Sequence, residues 1–334
     1  MGVDLNAILE KEELSLNEIK GRVAIDAFNT LYQFLTIIRQ RDGTPLMDSK
    51  GRITSHLSGL LYRSCNLLEK GIRPIFVFDG EPHPLKKATI AERSARKRQA
   101  EEKLERAREE GREEDVRVYA QQTARLGTEQ VEESKHLLSL LGIPWVQAPS
   151  EGEALCAQLC SQGLVEAAGS QDYDSLLFGA PVLLRNLTVA GRRKLPRREA
   201  YVDVLPERIT LEHNLTRLGI SHQQLVWLAL LIGTDFNPGV YGIGPKKGLK
   251  LVQEHSSMPA LLKKLEVEMD WQTLEGIFLR PATMELSKQD LEFKPLDREG
   301  VLKYMVDEHE FSGVLKTLTI RPKNKRTNSV NTKL

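Results

Sequence analysis

Short apolar or β-branched runs alternate with longer stretches of helical periodicity through the first two-thirds of the chain. Gly21-Arg22-Val23-Ala24-Ile25-Asp26 leads into a helical segment from Phe28 to Gln40, and the run Arg73 to Phe78 closes on Asp79-Gly80. Ile143 to Ala148 precedes Pro149-Ser150-Glu151-Gly152-Glu153 and a helix; Val165 to Gly169 precedes Ser170-Gln171-Asp172-Tyr173-Asp174; Pro181 to Arg185 reads as one more strand. Strands separated by helices are the signature of a sheet covered on both faces, so the expected class is α/β with a mostly parallel central sheet flanked by helices. From Leu225 the pattern turns helical: Leu225 to Ile232, then Gly233-Thr234-Asp235, then Gly242-Ile243-Gly244-Pro245-Lys246-Lys247 opening a helix that runs to Glu254.

Two stretches break this pattern. From Lys86 to about Gln130 the chain is dense in both charges, with Tyr119 its one aromatic. A helix polar all round has no stripe to bury, so this insertion is expected to project into solvent or to order on a ligand. The last residues, 321–334, carry Arg321, Lys323, Lys325, Arg326 and Lys333 with no acid and read as a disordered basic tail. The expected organisation is one domain over 1–320, with the charged insertion at about 86–130 and a helical subregion at about 225–260.

Composition removes several classes. Lys+Arg at 47 against Asp+Glu at 46 leaves a net charge of +1, so a polyanion site has to be local. Cys65, Cys156 and Cys160 form no Cys-x-x-Cys, and the seven His have no metal spacing, which argues against a disulfide framework or a structural zinc. No run reaches the roughly 18 apolar residues that span a bilayer. An intracellular monomer in a reducing compartment, with no membrane partner, is expected.

The chemistry lies in the acids at the ends of elements: Asp26, Asp79, Glu151, Glu153, Asp172, Asp174 and Asp235. In open α/β sheets, ligands bind beyond the carboxyl ends of the strands, where these acids fall. Two like charges about 4 Å apart repel by roughly 4 kcal/mol at an effective dielectric near 20, so such a cluster needs cations. A pair of Mg²⁺ ions would satisfy it and would stabilise both the attacking and leaving oxygens of a phosphodiester, with Mn²⁺ a possible substitute. Each acid also has a plainer reading: Ser150-x-x-Glu153 is a capping box, Asp79-Gly80 a turn pair, and Asp172 and Asp174 could cap the next helix. Asp26 resists that reading, because a charge in an apolar strand needs a partner.

Gly242-Ile243-Gly244-Pro245-Lys246 sets two glycines before a helix that Pro245 starts well, leaving backbone N–H groups to face an anion beside Lys246 and Lys247. The alternative is a plain turn between helices.

Ala24-Ile25-Asp26-Ala27 with Tyr32-Gln33-Phe34-Leu35, Val77-Phe78-Asp79-Gly80, Ala148-Pro149-Ser150-Glu151-Gly152-Glu153-Ala154, Gln171-Asp172-Tyr173-Asp174-Ser175-Leu176 and Gly242-Ile243-Gly244-Pro245-Lys246 together resemble the archaeal-type flap endonucleases of the structure-specific 5′-nuclease family. The similarity runs in register from Met1 to about Ser312. It implies a metal-dependent nuclease that cuts 5′ flaps at single-strand/double-strand junctions in replication and repair and also acts as a 5′-to-3′ exonuclease. The seven acids match the family's metal-associated carboxylates. Lys86 and Arg93 match the basic pair that engages the scissile phosphate, and Tyr32 an aromatic that stacks on a base. Arg39 and Arg63 match basic residues near the duplex, and Gly2 the mature amino terminus near DNA once Met1 is removed. The charged insertion matches a helical arch for the 5′ strand; Gly242, Gly244 and Lys246 match a helix-hairpin-helix-like duplex grip that also holds K⁺. The family's usual closing peptide, Gln-x-x-Leu-x-x-aromatic-aromatic, which docks on a sliding clamp, has no counterpart in 321–334. Two rival readings, a junction-binding protein that does not cut and a phosphatase for small phosphates, leave either the complete acid set or the insertion and hairpin without a use.

Overall fold

The computed structural model describes residues 2–40, 42–194, 201–312, 319–323 and 327–331. The chain opens with β1 (Glu12–Glu13), β2 (Gly21–Asp26), α1 (Ala27–Ile37), α2 (Ser55–Glu69) and β3 (Ile72–Phe78). A short 3₁₀ turn at Pro84–Lys86 leads into α3 (Lys87–Glu109), followed by α4 (Glu113–Gln122) and α5 (Thr128–Leu140). Next come β4 (Trp145–Gln147), α6 (Gly152–Ser161), β5 (Ala167–Gly169), α7 (Asp174–Leu177) and β6 (Val182–Arg185). β7 (Gly191–Lys194) and β8 (Tyr201–Val204) pair as a separate ribbon before β9 (Glu207–Thr210). The helical end holds α8 (Leu211–Leu218), α9 (His222–Ile232), α10 (Pro245–Glu254), α11 (Met258–Leu265) and α12 (Trp271–Leu279); α13 (Arg298–Leu302) runs into a π-helical turn, and β10 (Thr319–Lys323) and β11 (Thr327–Asn331) come last.

Seven strands form one sheet in the order β1-β9-β6-β5-β2-β3-β4. The five from β6 to β4 are parallel; at the far edge β9 runs antiparallel to β6, and β1 pairs antiparallel with β9. The mostly parallel α/β sheet expected from the pattern is therefore present, with a mixed edge. Strand periodicity divides the core: Val23, Ile25, Phe76 and Phe78 pack with α1, α2 and α5, whereas Ala24, Ile75 and Val77 pack with α6. Pro74 is tolerated inside β3 because Phe76, two residues on, donates toward the β4 side to Pro144 O (3.1 Å). The N–H that Pro74 lacks would face the same side, short of where β4 pairing begins at Trp145.

The charged insertion folds as the helix pair α3 and α4, packed against each other, with Ala100, Leu104, Ala107 and Ala120 as its small buried strip. The all-polar reading missed this strip because Ala and one Leu make a weak stripe among so many charges. Two strands border and enter the segment expected to be a basic tail. Thr319–Lys323 pairs antiparallel with Thr327–Asn331, and β11 lies beside α2. The β-branched Thr319, Ile320, Thr327 and Val330 favour strand in a way the count of basic residues ignored. Residues 324–326 and 332–334, on which the remainder of that reading falls, lie outside the described residues.

Candidate active site

Six of the seven acids follow the carboxyl ends of the parallel strands β2, β3, β4 and β5. Asp26 ends β2 and caps α1, accepting from the Asn29 backbone N–H at 3.0 Å. Asp79 follows β3. There Gly80 donates to Ser150 O (2.6 Å), and a Cβ on Gly80 would collide with the Ala148 carbonyl, so only glycine lets the two loops touch. That contact brings Gly152 N–H to Asp79 Oδ1 (2.6 Å) and sets Glu151 beside Asp79. Glu153 is not a capping residue. Ser150 donates its hydroxyl to Glu81 O (3.2 Å), the α6 N-cap is Glu151 with no side-chain cap bond, and Glu153 instead accepts from Ser170 Oγ (2.8 Å) and Ser175 Oγ (3.4 Å).

Asp172 accepts from Asn29 Nδ2 at 3.0 Å, tying the loop after β5 to α1. Asp174 opens α7, is 4% exposed, and accepts from the Val3 N–H at 2.9 Å. A Cβ on Gly2 would fall on the Asp174 carboxylate, so the amino-terminal segment runs directly over it. Asp235 arrives from a different direction. α9 is apolar on every side and buried from Leu225 to Leu231, and Gly233, at φ +111°, ends it and turns the chain toward the site.

The electrostatics follow from burial and crowding. Burial, then Asp79 and Asp172, hold Asp26 well above the ordinary carboxylate range, with the Asn29 hydrogen bond opposing. Burial, then Asp174, Asp26 and Asp172, does the same to Glu153. Asp79 is pushed up to about 6, chiefly by burial and with a contribution from Glu151. Asp174 reaches about 7 through burial and Asp172. Two cations face these acids: Lys86 pairs with Glu151 and lies 3.8 Å from Asp235, and Arg93 reaches Asp235 at 2.5 Å. Burial alone would lower the Lys86 pKa, but Glu151 and then Asp235 and Asp79 raise it. Seven acids against two cations leave a surplus of negative charge. The donors are all carboxylate oxygens without His or Cys, which fits hard divalent ions. Among the described residues no three metal-binding side chains close on one point, so ions held here would complete their shells with water or substrate oxygens.

The residues expected to touch DNA are distributed differently. Gly2, Lys86 and Arg93 join the acids. Tyr32 donates its hydroxyl to Ala124 O (3.1 Å), and Lys97 of the insertion stands 4.5 Å from its ring centroid, so one end of the insertion rests on α1. Arg39 bonds Leu35 O (3.0 Å) and Gly43 O (2.9 Å), and Arg63 bonds Ala190 O (3.1 Å); neither touches an acid of the cluster. Gly242 (φ +75°), Gly244, Lys246 and Lys247 are exposed at the start of α10, where Gly244 is the N-cap and Pro245 the first helical residue. Sequence reasoning passed over Asn29 and Arg185. Arg185, an ion ending an apolar strand just as Asp26 does, bonds Gln171 O (2.9 Å), Tyr173 Oη (2.7 Å) and Glu207 (2.8 Å), and so fastens the loop that carries Asp172 and Asp174.

A model of the XPG N-terminal domain matches residues 1–100, and one of the XPG I-region matches 142–235. All seven acids fall inside these two segments. Flap endonuclease 1 of Pyrococcus furiosus is 49% identical over 314 residues, covering 93% of this chain and 92% of that protein. The chain belongs to the flap endonuclease family. Flap endonuclease 1 of Archaeoglobus fulgidus is 50% identical, with 93% of each chain covered. Among solved structures, flap endonuclease-1 from Methanococcus jannaschii matches with a TM-score of 0.73 at 40% identity, covering 95% of this chain and 96% of that one. The catalytic core of Rad2 in complex with DNA substrate shares the fold, with a TM-score of 0.65 at 24% identity and coverage of 92% and 94%. As a member of this family the protein is a metal-dependent nuclease. The insertion lies largely between the two matched segments and the α10 hairpin beyond both. Among the described residues no helix is long and apolar enough to cross a membrane.

Proposed function

We propose that the protein cuts 5′ flaps where single-stranded DNA meets duplex, trims 5′ ends as a 5′-to-3′ exonuclease, and does so with two Mg²⁺ ions that Mn²⁺ can replace. The observation that carries this reading is the gathering of acids from separate element ends, with Lys86 and Arg93 set against them. Asp26, Asp79, Glu151, Glu153, Asp172, Asp174 and Asp235 would hold the ions. When bound, the ions supply charge stabilisation on both sides of the phosphodiester being cleaved.

The chain's own groups do the rest. Lys86 and Arg93, at the base of α3, present fixed cations where charge develops on the phosphate, which costs no reorganisation during reaction. Tyr32 stacks on a base once Lys97 swings from its face, and Gly2 lines the approach beside Asp174. The N–H groups at the start of α10, with Lys246 and Lys247, hold the duplex backbone and leave its sequence unread. Arg39 and Arg63 flank the duplex, and K⁺ at Gly242 to Gly244 would strengthen the grip. The protein acts as a monomer inside the cell, as one domain over 1–320. Residues 321–334 offer no aromatic anchor for a sliding clamp, so clamp affinity through them should be weak.

The test is a flap substrate in chelator, then with Mg²⁺. Binding without cutting in chelator, followed by cutting at the junction on addition of Mg²⁺, is the expected result. Cutting in chelator would overturn the assignment of the acids, and binding with no cutting in Mg²⁺ would overturn the proposed activity.

A further inference from the structure

Asp172 is held by a side-chain amide, and that amide is itself placed in a chain of bonds with a single direction. Thr188 Oγ1, in a buried residue after β6, donates to Gln33 Oε1 (3.1 Å). Gln33 Nε2 donates to Asn29 Oδ1 (3.3 Å), and Asn29 Nδ2 donates to Asp172 Oδ2 (3.0 Å). An ionised carboxylate only accepts, so Asn29 turns its NH₂ to Asp172 and its Oδ1 to Gln33. Gln33 then turns its NH₂ to Asn29 and its Oε1 to Thr188, whose hydroxyl donates and holds the two amides in that order. The backbone N–H of Asn29 meanwhile donates to Asp26 (3.0 Å). One residue thus links the acid that ends β2 to the acid that follows β5, each through an N–H.

We propose that Asn29 is a positioning residue for the divalent-ion site, and that Gln33 and Thr188 act through it by fixing its amide. The physical reason is charge. Lys86 and Arg93 pair with Glu151 and Asp235 on the other flank, and Asp26, Glu153 and Asp174 stand near Asp172. A neutral donor holds the Asp172 carboxylate in one orientation without adding a cation that would compete with a metal. Partners of this kind behind a ligand typically carry about 10- to 100-fold of metal affinity. The inference rests on reading Asp172 as metal-associated, and its test keeps the two apart.

The experiment uses the full chain and measures Mn²⁺ binding by calorimetry without DNA, alongside flap-DNA affinity in chelator and the melting temperature. Asn29→Leu should weaken Mn²⁺ binding about tenfold or more with DNA affinity in chelator within about twofold of wild type. Asn29→Asp, the same shape with a second negative charge and no NH₂, should differ from wild type at least as strongly in the pH dependence of Mn²⁺ binding. Thr188→Val, two bonds away, should show a smaller loss in the same direction and serves if Asn29→Leu does not fold. Asp172→Asn is the control. If it loses Mn²⁺ affinity while Asn29→Leu and Thr188→Val retain it, the positioning role is wrong. If Asp172→Asn also binds as wild type does, the assignment of Asp172 fails instead. Parallel losses of Mn²⁺ and DNA affinity would mark a packing role and overturn the proposal.

Discussion

The acid cluster and the charged helix pair above it are built on opposite terms. The acids are buried or half-buried, and five of them have a fixed neutral donor: backbone N–H groups of Asn29, Gly152 and Val3, the hydroxyl of Ser170 and the amide of Asn29. α3 and α4 are held instead by surface ion pairs such as Arg96–Glu92 and Arg125–Glu101, each contributing about 0.2–1 kcal/mol, and by the strip of Ala100, Leu104, Ala107 and Ala120. The contrast separates two requirements of one reaction. Ions and a phosphate need a floor whose geometry does not change, whereas a strand that has to enter or pass needs a cover whose ordering costs little to undo.

The largest effect should come from the floor. Asp79→Ala and Asp174→Ala should each lower the single-turnover rate of flap cleavage by about 10³-fold or more, since several kcal/mol of charge stabilisation depends on the ions they serve. Flap affinity in chelator should stay within a few-fold, because it is spread over many phosphate contacts. Wild-type cutting by either variant would break the distinction between floor and cover. Arg93→Ala, where the two regions meet, should cost about 10² to 10³ in the saturated single-turnover rate. A pure loss of affinity would reassign Arg93 to steering alone.

The cover itself is checked by hydrogen exchange. Amides of α3 and α4 should exchange by local opening, orders of magnitude faster than those of β2 and β3, whose opening approaches the global free energy. Leu104→Ala should speed exchange in α3 and α4 and leave the strands unchanged; equal acceleration across both regions would show one cooperative unit.

A smaller effect concerns pH. Asp174 ionises at 3.8 when unperturbed and at about 7 in the fold, and Asp79 at about 6. Raised folded values mean that their contribution to stability is complete below about pH 4 and is lost as pH rises toward 7, where unfolding would let them ionise freely. Metal-free Asp174→Asn should therefore gain stability relative to wild type between pH 5 and 7.5, by on the order of 2 kcal/mol. Thermal melts of both proteins in chelator measure it, and a difference that does not change with pH would contradict the crowding argument.

Much of the floor could be read directly from the amino-acid sequence because each of its acids ends an apolar run, and a charge there stands out against Val23-Ala24-Ile25 or Phe76-Val77-Phe78. The antiparallel edge could not. Glu12–Glu13 and Glu207–Thr210 are short and mostly polar; the second pairs on the edge that β6 offers, and the first pairs in turn on β9. The tail hairpin was hidden for a similar reason, since its basic residues outweigh four β-branched ones in any count of composition. Asn29 and Arg185 escaped notice because a residue that orients another is defined by a long-range contact: Asn29 meets Asp172 across 143 positions, and no local pattern records that pairing.

The central claim is that the acids at the strand ends form one divalent-ion site. Crystals of the full chain soaked in Mn²⁺ test it most directly through the metal's anomalous scattering. The account predicts two peaks about 3.5 to 4 Å apart, bounded by Asp26, Asp79, Glu153, Asp172 and Asp174. Strong manganese peaks elsewhere on the protein, with none among these five carboxylates, would contradict it.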